Sequence, residues 1–273
     1  MTKLNGGFTV LMSVYFKNDS ILLEKAIKSI YFNTVTPNYF ILIVDGPIPL
    51  ALRKKIFLLK RKFHFNVFTL KENIGLPGAL NFGLSKVKTK WVFRADADDI
   101  NHLTRFEDQI IFLNKNPKVD FLGSAIDEID EYGNFISSKE PPLNYQEIKK
   151  FIKYRNPFNH MTVAYKIDVV KAVGGYPNIF LKEDYGLWIM LIFSGFYCMN
   201  MPNSLVTATT GTPFFARRSG WKYIKSELKI QKLLVKNNFS NPVVSHFILF
   251  IRSLIFIAPT FVRVFIYKLF LRK

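Results

Sequence analysis

Apolar residues in the first half of the chain fall into short unbroken runs, separated by polar stretches with helical spacing. The run 8–14 reads as a strand, and 40–44 as a second one, continuous as a strand covered on both faces should be. Between them, residues 21–32 carry apolar side chains on one helical face. The turn Asn18, Asp19, Ser20 leads into that helix, and Ser20 with Glu24 approximates a capping box. The alternation continues with a basic helix over 49–63, a strand over 66–70, and the loop 73–78 opening a helix that carries Asn81 and Gly83. The apolar run Trp91, Val92, Phe93 follows. Four strand-then-helix units in succession predict a mostly parallel α/β sheet with helices on both faces.

After a helix over 104–114 the pattern changes. A strand is expected over 119–126, a hairpin turn at Tyr132, Gly133 and Asn134, and a basic helix over 145–154. Gly174, Gly175, Tyr176 and Pro177 form a turn ahead of the acid pair Glu183 and Asp184.

The polar residues that end the early strands are grouped. Asp45, the loop 73–78, and the run Arg94, Ala95, Asp96, Ala97, Asp98, Asp99 each follow a predicted strand. In a parallel sheet that brings them to one edge, the edge where open α/β sheets bind ligands. Three carboxylates at one strand end repel one another, whereas a divalent cation removes the repulsion and leaves positions for substrate phosphates. Taken alone, the cluster also fits an acidic turn capping the next helix. Capping does not explain the convergence of three clusters.

Composition narrows the partners. A chain of 273 residues with 49% hydrophobic content can bury a full core, which excludes general disorder. The formal charge of +18 calls for anionic partners: nucleic acid, phospholipid or a phosphorylated substrate. From Phe215 onward Arg217, Arg218, Lys222, Lys225, Lys229, Lys232, Lys236, Arg252, Arg263, Lys268, Arg272 and Lys273 face a single acid, Glu227. The positive excess is thus largely C-terminal, away from the acids that can do chemistry. The lone Cys198 excludes an intramolecular disulfide and fits a reducing compartment. Residues 1–7 lack the pattern of a secretory signal, so the catalytic part is expected in the cytoplasm.

Within this tail, Lys222, Lys225, Lys229, Lys232 and Lys236 recur at helical spacing as one basic stripe. Beyond Pro242, Ser245, Arg252, Ser253, Thr260, Arg263 and Tyr267 gather on one side of a helical wheel, opposite Phe, Ile, Leu and Val. That predicts an interfacial helix with basic anchors, interrupted near Pro259, rather than a spanning one that would bury Arg252 and Arg263 in lipid. A helix packed on the catalytic part is the other reading.

The run 8–188 resembles glycosyltransferase family 2 in the opening strand with Tyr15 and Asn18, the Val44–Asp45–Gly46 strand end, Asn73 and Gly75 with Asn81, and the extended D-x-D cluster. Gly174, Gly175 and Tyr176, and Glu183 and Asp184 with Trp188, complete the likeness. The closer likeness is to bacterial enzymes that build O-antigen, capsule or exopolysaccharide repeat units, where Asn156 to His160 and Glu183, Asp184 and Tyr185 have counterparts. The strand end at Asp45 departs from the more usual Asp-Asp-Gly-Ser by having one acid.

The resemblance implies a GT-A catalytic domain over 1–214, with a nucleotide-sugar half over 1–115 and an acceptor half over 116–214, followed by a membrane-associating tail over 215–273. It implies a UDP-sugar donor, Mn²⁺ or Mg²⁺, a polyprenyl-diphosphate-linked saccharide acceptor, and a peripheral position on the cytoplasmic face of the inner membrane. Asp98 and Asp96 would hold the metal, with Asp99 supporting them. Tyr15, Asp45, Asn73, Gly75, Asn81, Arg94, Asp96, Arg217 and Arg218 would hold the nucleotide-sugar. Asp184, or its neighbour Glu183, would be the general base, with His160 and Trp188 nearby.

A nucleotidyltransferase would want a glycine- and lysine-rich phosphate loop after the first strand, and Tyr15, Phe16, Lys17, Asn18 is a poor one. A nucleic-acid-binding protein has no use for the long apolar tail, so nucleic acid is not expected as a partner. A non-catalytic membrane-surface protein leaves the strand-end clusters unexplained.

Overall fold

A computed structural model of the chain describes residues 3–210, 218–259 and 262–263. Four parallel strands form the first half: β1 (Phe8–Val14), β2 (Tyr39–Val44), β3 (Asn66–Thr69) and β4 (Trp91–Arg94). They are joined by α1 (Ser20–Tyr31), α2 (Leu50–Phe63) and α3 (Gly75–Leu84). β1 lies between β2 and β4, and β3 lies outside β2, all in parallel register.

The apolar runs are continuous because both faces are covered. Val10, Met12, Leu42, Val44 and Phe93 face α1, α2 and α4 (Arg105–Lys115). Leu11, Ile41, Ile43 and Val92 face α3 and α7 (Glu183–Phe193). Successive residues pointing to opposite faces is the two-residue period of a strand.

The second half departs from the parallel expectation. β5 (Ile100–Asn101), β6 (Phe121–Ile129), β7 (Phe135–Lys139), β8 (Ala164–Lys166) and β9 (Cys198–Thr209) complete the sheet, with α5 (Tyr145–Phe151) and α6 (Ile167–Ala172) alongside. Among the described residues the sheet has nine strands in the order β3-β2-β1-β4-β8-β6-β9-β5, with β7 on β6. β8 runs antiparallel to both β4 and β6, while β6 and β9 are parallel. The hairpin expected at Tyr132–Asn134 joins β6 to β7 in antiparallel register.

Two local expectations are corrected. Asp19, not Ser20, caps α1, accepting from the N–H groups of Ile21 and Leu22. Glu24 is instead drawn away by Lys28 (2.7 Å) and Lys55. The basic helix over 145–154 stops at Phe151.

The C-terminal helices are α8 (Gly220–Lys236) and α9 (Pro242–Ile257). Ile230 and Leu234 of α8 enter the same core as Leu187 and Ile189 of α7, each burial contributing roughly 1.5–3 kcal/mol. The lysine stripe at 222, 225, 229, 232 and 236 faces solvent, as its spacing predicts. α9 is oriented the other way. Its polar side turns inward: Ser245 is buried, and Arg252 donates to buried Glu227 (2.6 Å) and to the carbonyl of Tyr154. Arg252 is therefore not an outward anchor, because the one acid of the tail draws it into the protein. Val243, Phe247, Phe250, Leu254 and Ile257 are left exposed. Among the described residues no helix is long and apolar enough to cross a membrane.

Candidate active site

Asp45 leaves β2 and is buried. Its carboxylate accepts from the Ile74 N–H (2.8 Å) and from Asn73 Nδ2 (3.0 Å), so it ties the end of β2 to the loop that opens α3. Burial raises its pKa, against the lowering bonds from Ile74 and Gly75. Gly46 keeps this junction tight: at φ +82° a Cβ would lie 2.5 Å from the Asn73 nitrogen. Asp45, Asn73 and Gly75 thus meet, as the sequence predicts. Tyr15 stands half-buried past the end of β1, its N–H held by Asn18 Oδ1 (2.8 Å).

The acidic cluster follows β4. Asp96 is half-buried, Asp98 exposed and Asp99 buried. Two fully buried guanidiniums lie behind them. Arg94 pairs with Asp96 and donates to the Ala95 carbonyl, while Arg105 donates to the Arg94 carbonyl (2.7 Å) and to Asn101. Arg94 is enclosed, so what it offers is the orientation of Asp96. Burial, then the charges of Asp96 and Asp98, raise Asp99 well above the usual carboxylate range. That mutual repulsion is what a bound cation would relieve, so the donor set fits a divalent metal. Among the described residues no group of three or more His, Cys, Asp or Glu side chains forms a ready-made cage. A cation held by two carboxylates would complete its shell with phosphate oxygens and water.

Glu183 and Asp184 form the first turn of α7, where acids oppose the helix dipole favourably. They face different surroundings. Glu183 is buried, and burial with the charge of Asp184 raises it to about 8, with Arg94 and Asp96 also felt. Asp184 is half-buried and accepts from Asn156 Nδ2 (2.6 Å) and the Tyr185 N–H (2.7 Å). Burial raises its pKa, while those two bonds and the charges of Arg218 and Lys139 pull it down. Glu183 thus feels the charges of Arg94 and Asp96, and Asp184 those of Arg218 and Lys139.

Other candidates have structural duties. Asn81 spends its amide on the Tyr176 backbone, donating to O (2.9 Å) and accepting from N–H (2.8 Å). Gly175 permits that approach, since a Cβ there would sit 2.4 Å from Asn81 Oδ1. His160 is half-buried with Nε2 3.0 Å from Tyr176 Oη, and burial with Arg94 nearby holds its pKa well below the ordinary value. Its ring faces the Tyr176 phenol. Trp188 is fully buried, stacked on Phe121 at 5.6 Å. Arg218 is exposed, and Arg217 lies outside the described residues. Asn156, Lys139 and the pair Lys182–Glu227 were not singled out from sequence as site residues. Glu227, the lone acid of a basic tail, was the available signal.

A separate hollow of ≈ 530 Å³ is lined by Gly46, Arg53, Lys60 and Lys71 and includes none of these acids.

The model of glycosyl transferase family 2 matches residues 9–173. Over 270 residues the chain is 38% identical to the UDP-Gal:alpha-D-GlcNAc-diphosphoundecaprenol beta-1,3-galactosyltransferase of Escherichia coli, covering 97% of each. It is 32% identical to the amylovoran biosynthesis glycosyltransferase AmsE of Erwinia amylovora over 261 residues, 96% of this chain and 98% of that one. A mannosyltransferase from Pyrobaculum calidifontis, solved with GDP-Man and Mn²⁺, shares the fold at a TM-score of 0.64 and 14% identity, over 89% of this chain and 71% of that one.

Proposed function

The chain belongs to glycosyltransferase family 2, and from that premise we propose that it moves galactose or glucose from a UDP-sugar to a saccharide on a polyprenyl diphosphate. The transfer inverts the anomeric carbon and serves the assembly of a surface-polysaccharide repeat unit. The observation that carries the site assignment is the parallel register of β1, β2, β3 and β4, which brings Asp45, the loop 73–78 and the acids 96–99 to one edge of the sheet. The UDP-Gal donor and GlcNAc-diphosphoundecaprenol acceptor named for the E. coli relative support the choice of substrates.

Asp98 and Asp96 would hold Mn²⁺ or Mg²⁺, which supplies a Lewis acid for the charge that develops on the departing UDP. Arg94 aims Asp96, and Asp99 stands behind both. The surface made by Tyr15, Asp45, Asn73 and Gly75 receives the nucleoside. Asp184 takes the proton of the acceptor hydroxyl as that oxygen attacks the anomeric carbon, and UDP leaves with the electrons of its bond to the sugar. Asp184 suits this task better than Glu183 because it is the less buried of the two. One displacement from the face opposite the leaving group gives inversion.

The tail brings the enzyme to its lipid substrate. The exposed apolar face of α9 enters the interface of an anionic membrane, with the lysine stripe of α8 supplying electrostatic attraction. This sets a peripheral position on the cytoplasmic face. A panel of UDP-hexoses offered with Mn²⁺ and a synthetic GlcNAc-diphosphate lipid should yield a disaccharide with a β linkage by NMR. No product from any UDP-hexose would sink the reading.

A further inference from the structure

We propose that Arg252 is a positioning residue for the transfer: anchored on Glu227, it holds the segment 154–156, from which Asn156 orients the carboxylate of Asp184. This rests on the reading of Asp184 as the base and adds the residue of α9 that sets its direction.

Two bonds fix the Asp184 carboxylate. The Tyr185 N–H donates to Oδ1 (2.7 Å), and Asn156 Nδ2 donates to Oδ2 (2.6 Å). The first comes from α7 itself. The second comes from another part of the chain, so it aims the carboxylate only as well as Asn156 is held. Asn156 Oδ1 accepts from the Phe158 N–H (3.1 Å), which sets the orientation of the amide. Its place is left to the backbone behind it.

That backbone, residues 152–156, is a turn after α5 and belongs to no helix or strand. It is tied from outside at alternate carbonyls. Tyr185 Oη of α7 donates to the carbonyl of Ile152 (2.6 Å), and Arg252 Nη2 of α9 donates to the carbonyl of Tyr154. The Arg252 tie is the nearer of the two to Asn156.

Arg252 is itself anchored. Its Nη1 donates to Glu227 Oε1 (2.6 Å), and Glu227 is fully buried on α8. The same carboxylate accepts from Gln231 Nε2 (2.7 Å) and from Lys182 Nζ, the residue ahead of the acid pair. One prong of the guanidinium thus rests on a buried anion and the other on the segment that aims the base. A planar guanidinium suits this because its donors leave in fixed directions, whereas an ammonium carries the charge without the fork. Arg252 belongs to the helix whose outer side exposes Phe247, Phe250 and Leu254, so the element proposed to meet the lipid also holds the base in place.

A role confined to fastening α9 would lower stability and leave the turnover of folded enzyme unchanged. The test therefore measures transfer to a short, soluble GlcNAc-diphosphate acceptor at a temperature where each variant is folded by its unfolding midpoint. Wild type, Asp184→Asn, Asn156→Ala, Arg252→Gln and Arg252→Lys are compared, with Asn156→Ala also combined with each Arg252 variant. Arg252→Gln should lower kcat by about tenfold or more, since a misplacement of about 1 Å can cost 10²-fold in rate. KM for the UDP-sugar and the UDP–Mn²⁺ shift in midpoint should stay unchanged. Arg252→Lys should fall between wild type and Arg252→Gln in kcat. In the Asn156→Ala background either Arg252 substitution should change kcat by no more than about twofold, because the contact it acts through is gone.

Wild-type kcat in the Arg252 variants, or in Asn156→Ala, overturns the proposal. So does a full, additive loss when the substitutions are combined. Should Arg252→Gln fail to fold, Arg252→Lys decides by the same comparison. No transfer by wild type, or full transfer by Asp184→Asn, ends the functional reading and this inference together. Loss of transfer in Asp184→Asn with unaltered Arg252 variants ends the inference alone.

Discussion

The two sides of the proposed active site are supported by different kinds of structure. On the donor side Asp45 leaves β2, the acids 96–99 leave β4, and Gly75 opens the helix after β3. Each position is set by the sheet. On the acceptor side Asp184 heads α7, Asn156 comes from the stretch after α5, and Lys139 ends β7. The C-terminal helices brace this side through Lys182, Glu227 and Arg252. The donor side is thus a property of strand order, and the acceptor side of tertiary packing across four or five elements.

If the two sides are separable, variants should fail in different ways. The largest effect is expected at Asp184: its replacement by Asn should slow transfer by about 10²–10⁴-fold, the usual worth of a general base, with UDP binding kept. Steady-state transfer beside a binding measurement would show it, and loss of both together would break the separation.

Next comes the brace. Glu227 is buried with Lys182 and Arg252, and Lys182 also lies over the rings of Tyr223 (4.6 Å) and Phe256 (5.5 Å). Glu227→Ala strands two cations and should cost about 3–5 kcal/mol in chemical denaturation. Burial opposes ionisation of Glu227, but Lys182 and Arg252 outweigh it and hold the carboxyl at about 2. Its folded pKa is below its unfolded value of 4.5, so this stabilisation is complete above that value and disappears as pH falls to about 2. Stability of the Ala variant should therefore lose part of its acid dependence.

A smaller effect concerns pH. The proposed base, Asp184, would work deprotonated, and burial raises its pKa, so activity should fall on the acid side at a higher pH than for an ordinary carboxylate. Asn156→Ala removes a bond that lowers this pKa and should move the acid limb higher still. A limb that moves down would contradict the contact. The smallest effect on chemistry is expected at the tail. Phe247→Glu with Phe250→Glu should abolish sedimentation with anionic vesicles while leaving kcat on a short, soluble acceptor unchanged.

The same contrast explains what was legible beforehand. Parallel strands buried on both faces advertise themselves as apolar runs, and residues that end them share an edge by topology alone. Asp45, Asn73, Gly75 and the 94–99 cluster could therefore be placed together without coordinates. β8 was harder to read, since three residues wedged antiparallel between β4 and β6 carry too little pattern. The helical wheel separated the polar from the apolar side of α9 and left open whether the polar side faces the catalytic part; Thr260 and Tyr267 of that wheel lie outside the described residues. A wheel shows which side is polar, and only the buried Glu227 determines that this side faces inward. Asn81 and Trp188 matched family positions, yet the fold uses one to hold the Tyr176 backbone and the other as a core ring.

The separation of donor and acceptor sides is tested most directly by the shift in unfolding midpoint on adding UDP with Mn²⁺ to wild type, Asp98→Asn and Asp184→Asn. Ligand bound only by the folded state at a hundredfold excess over its Kd stabilises by about 2.7 kcal/mol, a readily measured rise. The shift should appear in wild type, persist in Asp184→Asn and vanish in Asp98→Asn. A full shift in Asp98→Asn, or its loss in Asp184→Asn, would contradict the account.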